Sequence, residues 1–547
     1  MMNNISDHNA IQNGDISDDN NQIEEFETSD HQDTPNSQRH FRIKNKIVKI
    51  FLPLVGIAII VGICCGLIVG TYIFCVERLI KYSKLIFSYL RNDLRWLPLA
   101  FSIAILLGIL IGFLTDKFSE IRGSGIPYIE SVARGDLNIK WFISLPLMCV
   151  SSMVSIFSGY SFGAEGPSVY MGGCIGYGIG KILKLDKMHD MLMVAAGSSS
   201  GLSIAFNAPL SGLIFSIEEV YRKFSMQIII TSILTVSVSQ IVDHLIFKNV
   251  HLDIGSLIHE SFTIIPFIIA ISTGIIGGLI GSLFNILIRN AGSVYEKIKP
   301  VKSWMYPIVP SILAVIFGVW WPDACFGDSD VMKRTLRDEM SLKEMGITFL
   351  IKFIFIIICF GSKATGGIFI PMLTIGALLG SLIGKFCIHI GINEDRYSYI
   401  ALMATSAFFT GVVRAPLTAA ILPVEYTQQY MGWLGPITSV AFSFAIAEML
   451  HVKPLYEALM EKITNNGQER PDPYNFIYIV KANSIISGLE VREVILPRKT
   501  LIVQIIRDYV PMLPSENIVL REGDEVIIAS ETTNPMDIEE QLSLLFY

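Results

Sequence analysis

Three short segments rich in glycine and proline lie at the starts of apolar stretches, and each is suited to contacting an anion. Their sequences are Gly123-Ser-Gly-Ile-Pro127, Gly163-Ala-Glu-Gly-Pro167 and Gly366-Gly-Ile-Phe-Ile-Pro371. Proline is favoured in the first turn of a helix and glycine permits a tight approach, so each segment predicts a helix N-terminus. Such an end presents unpaired N–H groups and a partial positive charge. Three of them converging would hold a small anion without a buried lysine, whose desolvation would be costly.

Two glutamates in apolar surroundings are candidate functional residues. Glu165 lies inside the second segment, and a carboxylate there can itself occupy a site built for an anion. Deprotonated, it would compete with the anion; protonated, it would leave, so one side chain would couple anion movement to proton movement. Glu219 follows Glu218 in an apolar segment, which indicates a functional acid. The alternatives left open are a simple helix N-terminal charge for Glu165 and a solvated carboxylate near Arg222 and Lys223 for Glu219.

The helices that must position these residues repeat along the chain. Pro167–Lys181 and Pro371–Lys385 share their first and last residue types, and three glycines align without a gap. These are Gly172, Gly176 and Gly180 in the first segment and Gly376, Gly380 and Gly384 in the second. Glycines four residues apart lie on one helix face and let another backbone approach closely. The spacing therefore predicts close helix packing at equivalent places in two halves.

A second match supports the same repeat. Ala208-Pro-Leu210 corresponds to Ala415-Pro-Leu417, and each alanine is followed ten residues later by a glutamate, Glu218 or Glu425. Both glutamates are therefore expected to do the same structural job, whereas Glu219 aligns with Tyr426 and has no acidic counterpart. We predict two homologous halves, about 47–246 and 264–464, with the substrate site at their interface.

The composition indicates an all-α polytopic membrane protein. Of 547 residues, 51% are hydrophobic and 17% are charged, which is too apolar for an ordinary soluble protein. Stretches long enough to span a bilayer include Ile47–Phe74, Leu97–Leu114, Met226–Ile246 and Ile264–Ile288. The glycine-rich segments 167–180 and 371–384 are shorter, and such segments suggest helices that do not cross the membrane cleanly.

Four regions follow from the distribution of polar residues. Residues 1–40 are acidic and polar and predict a disordered tail, followed by a membrane domain at 41–464, a linker at 465–473 and a soluble domain at 474–547. Basic residues precede the first apolar stretch and predict a cytoplasmic N-terminus: Arg42, Lys44, Lys46 and Lys49. The eight cysteines and nine histidines have no ligand spacing, so we assign no metal, and nothing indicates binding to a nucleic acid.

These motifs resemble the CLC family of chloride channels and transporters. Besides the three Gly/Pro segments, the stretches Phe206–Val220 and Lys453-Pro-Leu-Tyr456 match the family in order, over about residues 50–464. The resemblance implies a fold of two inverted-topology repeats with broken or tilted helices. It also implies a homodimer with one pathway in each subunit, and a multi-pass protein of the cell (plasma or inner) membrane with both termini cytoplasmic.

The resemblance also implies roles for particular residues. Ser124 and Tyr456 would donate their hydroxyls to a bound chloride, and the backbone amides of Ile368 and Phe369 would complete the site. A helix cap for Ser124 and an interfacial anchor for Tyr456 are the alternatives. Ala164 departs from the family, in which many members have Lys or Arg, and loss of that cation should weaken the positive field near the outer path.

The glutamates bear on the choice between transporter and channel. Glu165 resembles the family's gating glutamate, and Glu219 matches the position that passes protons inward in exchangers, where passive channels usually have an apolar residue. We therefore predict a chloride/proton antiporter and not an enzyme. The alternatives are a passive chloride channel gated by Glu165 and, remotely, an intramembrane protease built on paired glutamates at 218–219.

The C-terminal region resembles the TrkA-C (RCK-C) regulatory domain of potassium-uptake proteins. Short β-branched runs predict strands at Tyr478–Lys481, Thr500–Arg507 and Glu525–Ser530, with a turn at Glu522-Gly-Asp524. The resemblance implies a small α+β domain that dimerises. Some of these domains bind cyclic dinucleotides, so cyclic di-AMP is the predicted regulatory ligand, a plain dimerisation module is the alternative, and no other cofactor is expected.

Overall fold

A computed structural model describes residues 35–222, 225–247, 264–298, 301–327, 329–428, 432–464, 474–482, 484–494, 496–497, 500–508, 510–530 and 535–546. The chain divides into two units, Met1–Leu54 and Val55–Tyr547. Helix α1 (Pro35–Asn92) begins in the first unit. It starts within the tail predicted for residues 1–40, because proline is favoured in the first turn of a helix and none of residues 36–40 is a helix breaker. The rest of that tail and the linker at 465–473 lie outside the described residues.

Most described residues after α1 are helical. The helices of the membrane region are α2 (Leu97–Lys117), α3 (Ile126–Ala133), α4 (Trp141–Phe157), α5 (Glu165–Ile182), α6 (Lys187–Phe206), α7 (Pro209–Phe215), α8 (Met226–Phe247), α9 (Ile264–Lys297), α10 (Ile308–Trp320), α11 (Asp330–Leu336), α12 (Leu342–Gly361), α13 (Phe369–His389), α14 (Tyr397–Val413), α15 (Pro416–Thr427), α16 (Leu434–Met449) and α17 (Leu455–Thr464). Within the described ranges, 7 helices are long and apolar enough to cross a membrane. The predicted all-α membrane architecture is confirmed.

The aligned glycines pack helices together in the same way in both halves. Helix α5 packs on α6, and α13 packs on α14. A Cβ added at Gly172 would lie 2.1 Å from the carbonyl oxygen of Gly197, and one added at Gly376 would lie 2.7 Å from the Cα of Thr405. Both distances are too short for any side chain, so the glycines permit backbone-to-backbone packing, as predicted.

The two aligned glutamates cap each other's halves. Glu425 accepts hydrogen bonds from the N–H of Leu210 at 2.9 Å and from the N–H and hydroxyl of Ser211 at 2.7 and 2.5 Å. These groups form the first turn of α7. Glu218 does the same in reverse for the first turn of α15, accepting from Leu417 N–H at 2.9 Å and from Thr418 N–H and hydroxyl at 2.8 Å each. Each carboxylate therefore satisfies helix-end donors of the opposite half.

The C-terminal region forms a four-stranded antiparallel sheet with one helix. Its elements are β1 (Tyr474–Ile479), β2 (Thr500–Arg507), β3 (Val510–Met512), β4 (Glu525–Ser530) and α18 (Pro535–Phe546), and the strand order is β1-β4-β2-β3. Alternating residues of the sheet, such as Ile502 and Val526, form a buried core with Leu542 and Phe546 of α18. The small α+β domain is confirmed, although β1 starts and ends earlier than the predicted Tyr478–Lys481.

Candidate functional site

The three Gly/Pro segments begin helices, as predicted, and they are hydrogen-bonded to one another. The N–H of Gly163 donates to the carbonyl of Gly367 at 2.8 Å, and the reverse bond measures 2.9 Å. The N–H of Gly366 donates to the carbonyl of Gly123 at 2.9 Å. These bonds hold the N-termini of α3, α5 and α13 at one place, where their free N–H groups and partial positive charges add together.

Glu165 is the first residue of α5 and is buried at this meeting point. Backbone N–H groups at the starts of α5 and α13, including that of Ile370, interact with its carboxylate. A Cβ at Gly163 would come within 2.1 Å of the Oε2 atom, so the glycine leaves room for the carboxylate in this position. Within the described residues Oε2 itself has no hydrogen-bond partner. The carboxylate thus occupies a position suited to an anion and is only partly satisfied there.

The sequence predicted the backbone amides of Ile368 and Phe369 as donors at the start of α13, and the structure adds that of Ile370. Ile368 precedes the helix and Phe369 is its first residue, and the first N–H groups of a helix have no helical acceptor. It is the N–H of the next residue, Ile370, that reaches the carboxylate of Glu165. The motif contained this residue, but no pattern in the sequence distinguished its amide from its neighbours.

Ser124 lies beside the same helix ends and is buried. A Cβ added at Gly166 would lie 2.9 Å from the Cβ of Ser124 and 3.1 Å from the Cα of Gly367. The Ser124 hydroxyl accepts a long hydrogen bond of 3.4 Å from the N–H of Ile126. This contact is the helix-capping alternative, but it uses only an acceptor lone pair and leaves the hydroxyl proton able to donate to an anion.

Tyr456 is fully buried, and in the described part of the chain its hydroxyl has no hydrogen-bond partner. Its ring stacks on that of Phe369, with 5.9 Å between centroids. Complete burial excludes the alternative of an interfacial anchor, and the hydroxyl proton is able to donate to an anion.

A cavity of about 450 Å³ leads to the serine from one side of the protein. Ser124 and Gly123 lie on its wall, as do three basic residues, Arg122, Lys363 and Lys462. The last two turns of α17 also line it, so it opens on the side of the chain from which the C-terminal domain continues. Two carboxylates, Glu120 and Glu296, lie on the same wall, and Glu296 pairs with Lys363, so the cations exceed the anions by one. An anion could reach Ser124 through this cavity.

Glu219 lies apart from the helix ends, in a π-helical turn at Ser216–Tyr221 that follows α7. It is buried, and Arg222 donates to its Oε1 from Nη2 at 2.8 Å. The solvated alternative for this residue is therefore excluded. The same arginine contacts Glu130 and Glu457, which the sequence analysis did not single out. Two features of the sequence could have indicated them: Glu130 is an acid among the apolar residues of α3, and Glu457 directly follows Tyr456.

A family model described as voltage gated chloride channel matches residues 107–448, more than half of the chain. The chain belongs to the CLC family. A second model, the TrkA-C domain, matches residues 476–542. The fold and the C-terminal domain are thus those that the motifs predicted.

Relatives and solved structures agree with this membership. The "H(+)/Cl(-) exchange transporter ClcA" of Vibrio parahaemolyticus serotype O3:K6 is 30% identical over 429 residues, covering 76% of this chain and 90% of that protein. The protein of the same name from Klebsiella pneumoniae (strain 342) is 31% identical over 380 residues, covering 67% and 79%. The structure of a slow cyanobacterial Cl⁻/H⁺ antiporter matches with a TM-score of 0.70 at 25% identity, covering 76% of this chain and 99% of that one. A eukaryotic CLC transporter matches with a TM-score of 0.63 at 21% identity, which shows the shared fold alone.

Proposed function

We propose that this CLC protein exchanges chloride for protons across a membrane. The observation that carries the proposal is the carboxylate of Glu165, which lies where the N-termini of α5 and α13 meet and has one oxygen without a partner in the described ranges. Chloride and a carboxylate compete for the same N–H groups. Protonation of Glu165 removes its charge and allows chloride to occupy the position, so the movement of chloride is coupled to the movement of protons.

The neighbouring residues take complementary roles. The hydroxyls of Ser124 and Tyr456 donate to chloride, together with the amides of Ile368 and Phe369. Neither a full positive charge nor a metal is needed, so chloride is held loosely enough to leave quickly. Glu219 passes protons between water and Glu165, and its burial beside Arg222 supports that role because a buried acid in a membrane protein is costly without a function.

The test is transport by the purified full-length protein in liposomes. A chloride gradient is imposed, potassium and valinomycin balance the charge, and a pH indicator reports external protons. We expect chloride movement to drive protons against their gradient, and Glu219→Gln to stop the proton flux while chloride flux continues. Chloride flux with no uphill proton movement in the unmodified protein would instead establish a passive channel gated by Glu165.

The C-terminal domain is proposed to regulate the transporter as a dimerisation module that binds cyclic di-AMP. The match to the TrkA-C domain supports this proposal, and paired tails would suit a homodimer in the cell membrane with both termini cytoplasmic. Equilibrium dialysis of labelled cyclic di-AMP against the detergent-solubilised protein tests it, with a chain ending at residue 464 as the control. Equal retention by both chains would contradict the proposal.

A further inference from the structure

Arg222 joins three carboxylates that come from three different elements. Its Nη2 atom lies 2.8 Å from Glu219 in the π-helical turn, and its Nη1 atom lies 2.6 Å from Glu457 on α17. Its Nε atom lies 3.5 Å from Glu130 on α3. One guanidinium with five donors in a fixed plane can serve several acceptors at once, which a lysine cannot do with the same geometry.

The elements joined in this way carry the residues of the proposed site. Helix α3 follows Ser124, and α17 carries Tyr456 directly before Glu457. Arg222 therefore connects Glu219, which is proposed to carry protons, with the elements that position the chloride-binding residues. Movement of Arg222 would change the positions of both groups of residues.

The charges of the cluster do not balance. Arg134 is the second cation, and it pairs with Oε1 of Glu130, so two guanidiniums face three carboxylates. Glu130 and Glu219 are buried, and among the described residues the Oε2 atom of Glu130 has no partner. A buried excess negative charge is unfavourable, so the cluster has a place for one proton.

Glu457 is the carboxylate of this cluster that meets water. Its side chain is 34% exposed, compared with 3% for Glu219 and 0% for Glu130. Glu457 and Glu219 bind the two terminal nitrogens of the same guanidinium, so their separation is limited to that group and its two hydrogen bonds. Glu218 also acts on Glu219, but its carboxylate accepts hydrogen bonds from the first turn of α15. The other titratable groups around Glu219 and Tyr456 are those of this cluster and Glu165.

We propose that Glu457 takes up the protons that reach Glu219 and that Arg222 is the positioning residue that holds the two carboxylates together. This inference rests on the proposed exchange of chloride for protons. The Glu457 carboxylate accepts a proton from water, which brings the cluster from one net negative charge to none. The proton then passes to Glu219 and onward, and the cluster returns to its original charge, so one proton enters and one leaves.

The experiment measures proton and chloride flux of Glu457→Gln in liposomes at two pH values. At about pH 7.5, where protons are scarce, we expect proton flux to fall about tenfold. At about pH 4.5, close to the ordinary pKa of a glutamate, protons are so much more abundant that even slow uptake by buried Glu219 suffices, and the loss shrinks to less than about twofold. Glu457→Asp should restore most of the flux at the higher pH, because it keeps the carboxylate. Arg222→Lys keeps the positive charge but cannot hold Glu457 and Glu219 with the same geometry, so proton flux should fall at both pH values.

Glu461→Gln on the same helix is the matched control, since Glu461 pairs with Lys453 and does not touch the cluster. It should transport like the unmodified protein, and size-exclusion chromatography confirms that each variant is folded. Unchanged flux in Glu457→Gln at both pH values, with coupled transport in the unmodified protein, would overturn the role of Glu457 and leave the proposed function standing. An unmodified protein that moves chloride without protons would refute both.

Discussion

Glu165 and Glu425 are both buried glutamates at helix N-termini, and they differ in how fully their oxygens are satisfied. Glu425 accepts three hydrogen bonds from the first turn of α7, shared between both oxygens. Glu165 is held by backbone N–H groups, but its Oε2 atom has no partner among the described residues. A carboxylate whose two oxygens both accept hydrogen bonds is held in place. An unsaturated one can be protonated or displaced at much lower cost.

The largest expected effect comes from Glu165→Gln. The amide cannot gain or lose a proton, so proton flux should fall by at least about 100-fold while chloride continues to pass. The liposome assay measures both ions in one experiment. Glu425→Gln is the matched comparison, and the folded fraction of this variant should still couple chloride flux to proton flux. Loss of coupling in Glu425→Gln would show that hydrogen-bond saturation does not separate the two classes of glutamate.

A loss of stability is the expected result of Glu425→Gln. The amide nitrogen would face donors of α7 in place of an acceptor, and hydrogen bonds to a charged group are lost, so we expect about 3 kcal/mol of destabilisation. Glu218→Gln should cost less, because Glu218 is only half-buried and water can replace the lost bonds. Thermal unfolding in detergent measures both, with the exposed Glu394→Gln as the control. Equal unfolding temperatures for all three variants would contradict the capping role.

Outside the membrane, Asp524 gives a third case of a satisfied carboxylate. Burial alone would raise its pKa, but hydrogen bonds from Arg507 and from the N–H of Arg521 hold the pKa below the ordinary value. The interaction therefore stabilises the domain above about pH 4 and is lost as the pH falls through the lowered pKa.

Asp524→Asn should destabilise the C-terminal domain by about 2 kcal/mol at neutral pH, because Arg507 loses its charged partner. Hydrogen exchange of β2 and β4 in the full-length protein measures this effect. Pepsin digestion between about pH 4 and pH 2 should show a steep loss of protection in the unmodified protein and a shallower one in the variant. Glu522→Gln, at an exposed neighbour, should behave like the unmodified protein in both measurements.

The smallest effect is expected from Tyr456→Phe. Removing a hydroxyl that has no partner among the residues that the structure describes should leave the unfolding temperature unchanged. It should weaken chloride binding about fivefold, close to 1 kcal/mol, if chloride is the missing acceptor. Calorimetric titration with chloride checks the affinity. A lower unfolding temperature with unchanged affinity would mean that the hydroxyl has a structural role instead.

The sequence predicted the features that depend on local chemistry. Glycine and proline at Gly163–Pro167 and Gly366–Pro371 marked two helix starts correctly, because both residues act on the backbone close to where they stand. The repeat predicted equivalent packing for Gly172 and Gly376 for the same reason. The start of α1 was less accessible, because the polar composition of residues 35–40 is compatible with both a tail and a helix.

Features that depend on distant contacts could not be predicted. The alignment indicated a shared job for Glu218 and Glu425 but not that each caps a helix of the opposite half, some two hundred residues away. Arg222 was considered only as a neighbour of Glu219, since nothing in the sequence places it against Glu130 and Glu457. Ion pairs of this kind follow from the meeting of three elements, which only the three-dimensional structure shows.

The exchange of caps between the two halves also constrains how the chain is made. When α7 leaves the ribosome, the glutamate that will cap it has not yet been synthesised, and Glu218 has no helix to bind. The first half therefore stays incomplete until α15 has been inserted, because the N–H groups at the start of α7 and the carboxylate of Glu218 have no partners before then. Two separately expressed fragments divided between α8 and α9 should assemble with each other in a cell, because each brings the carboxylate that completes the other.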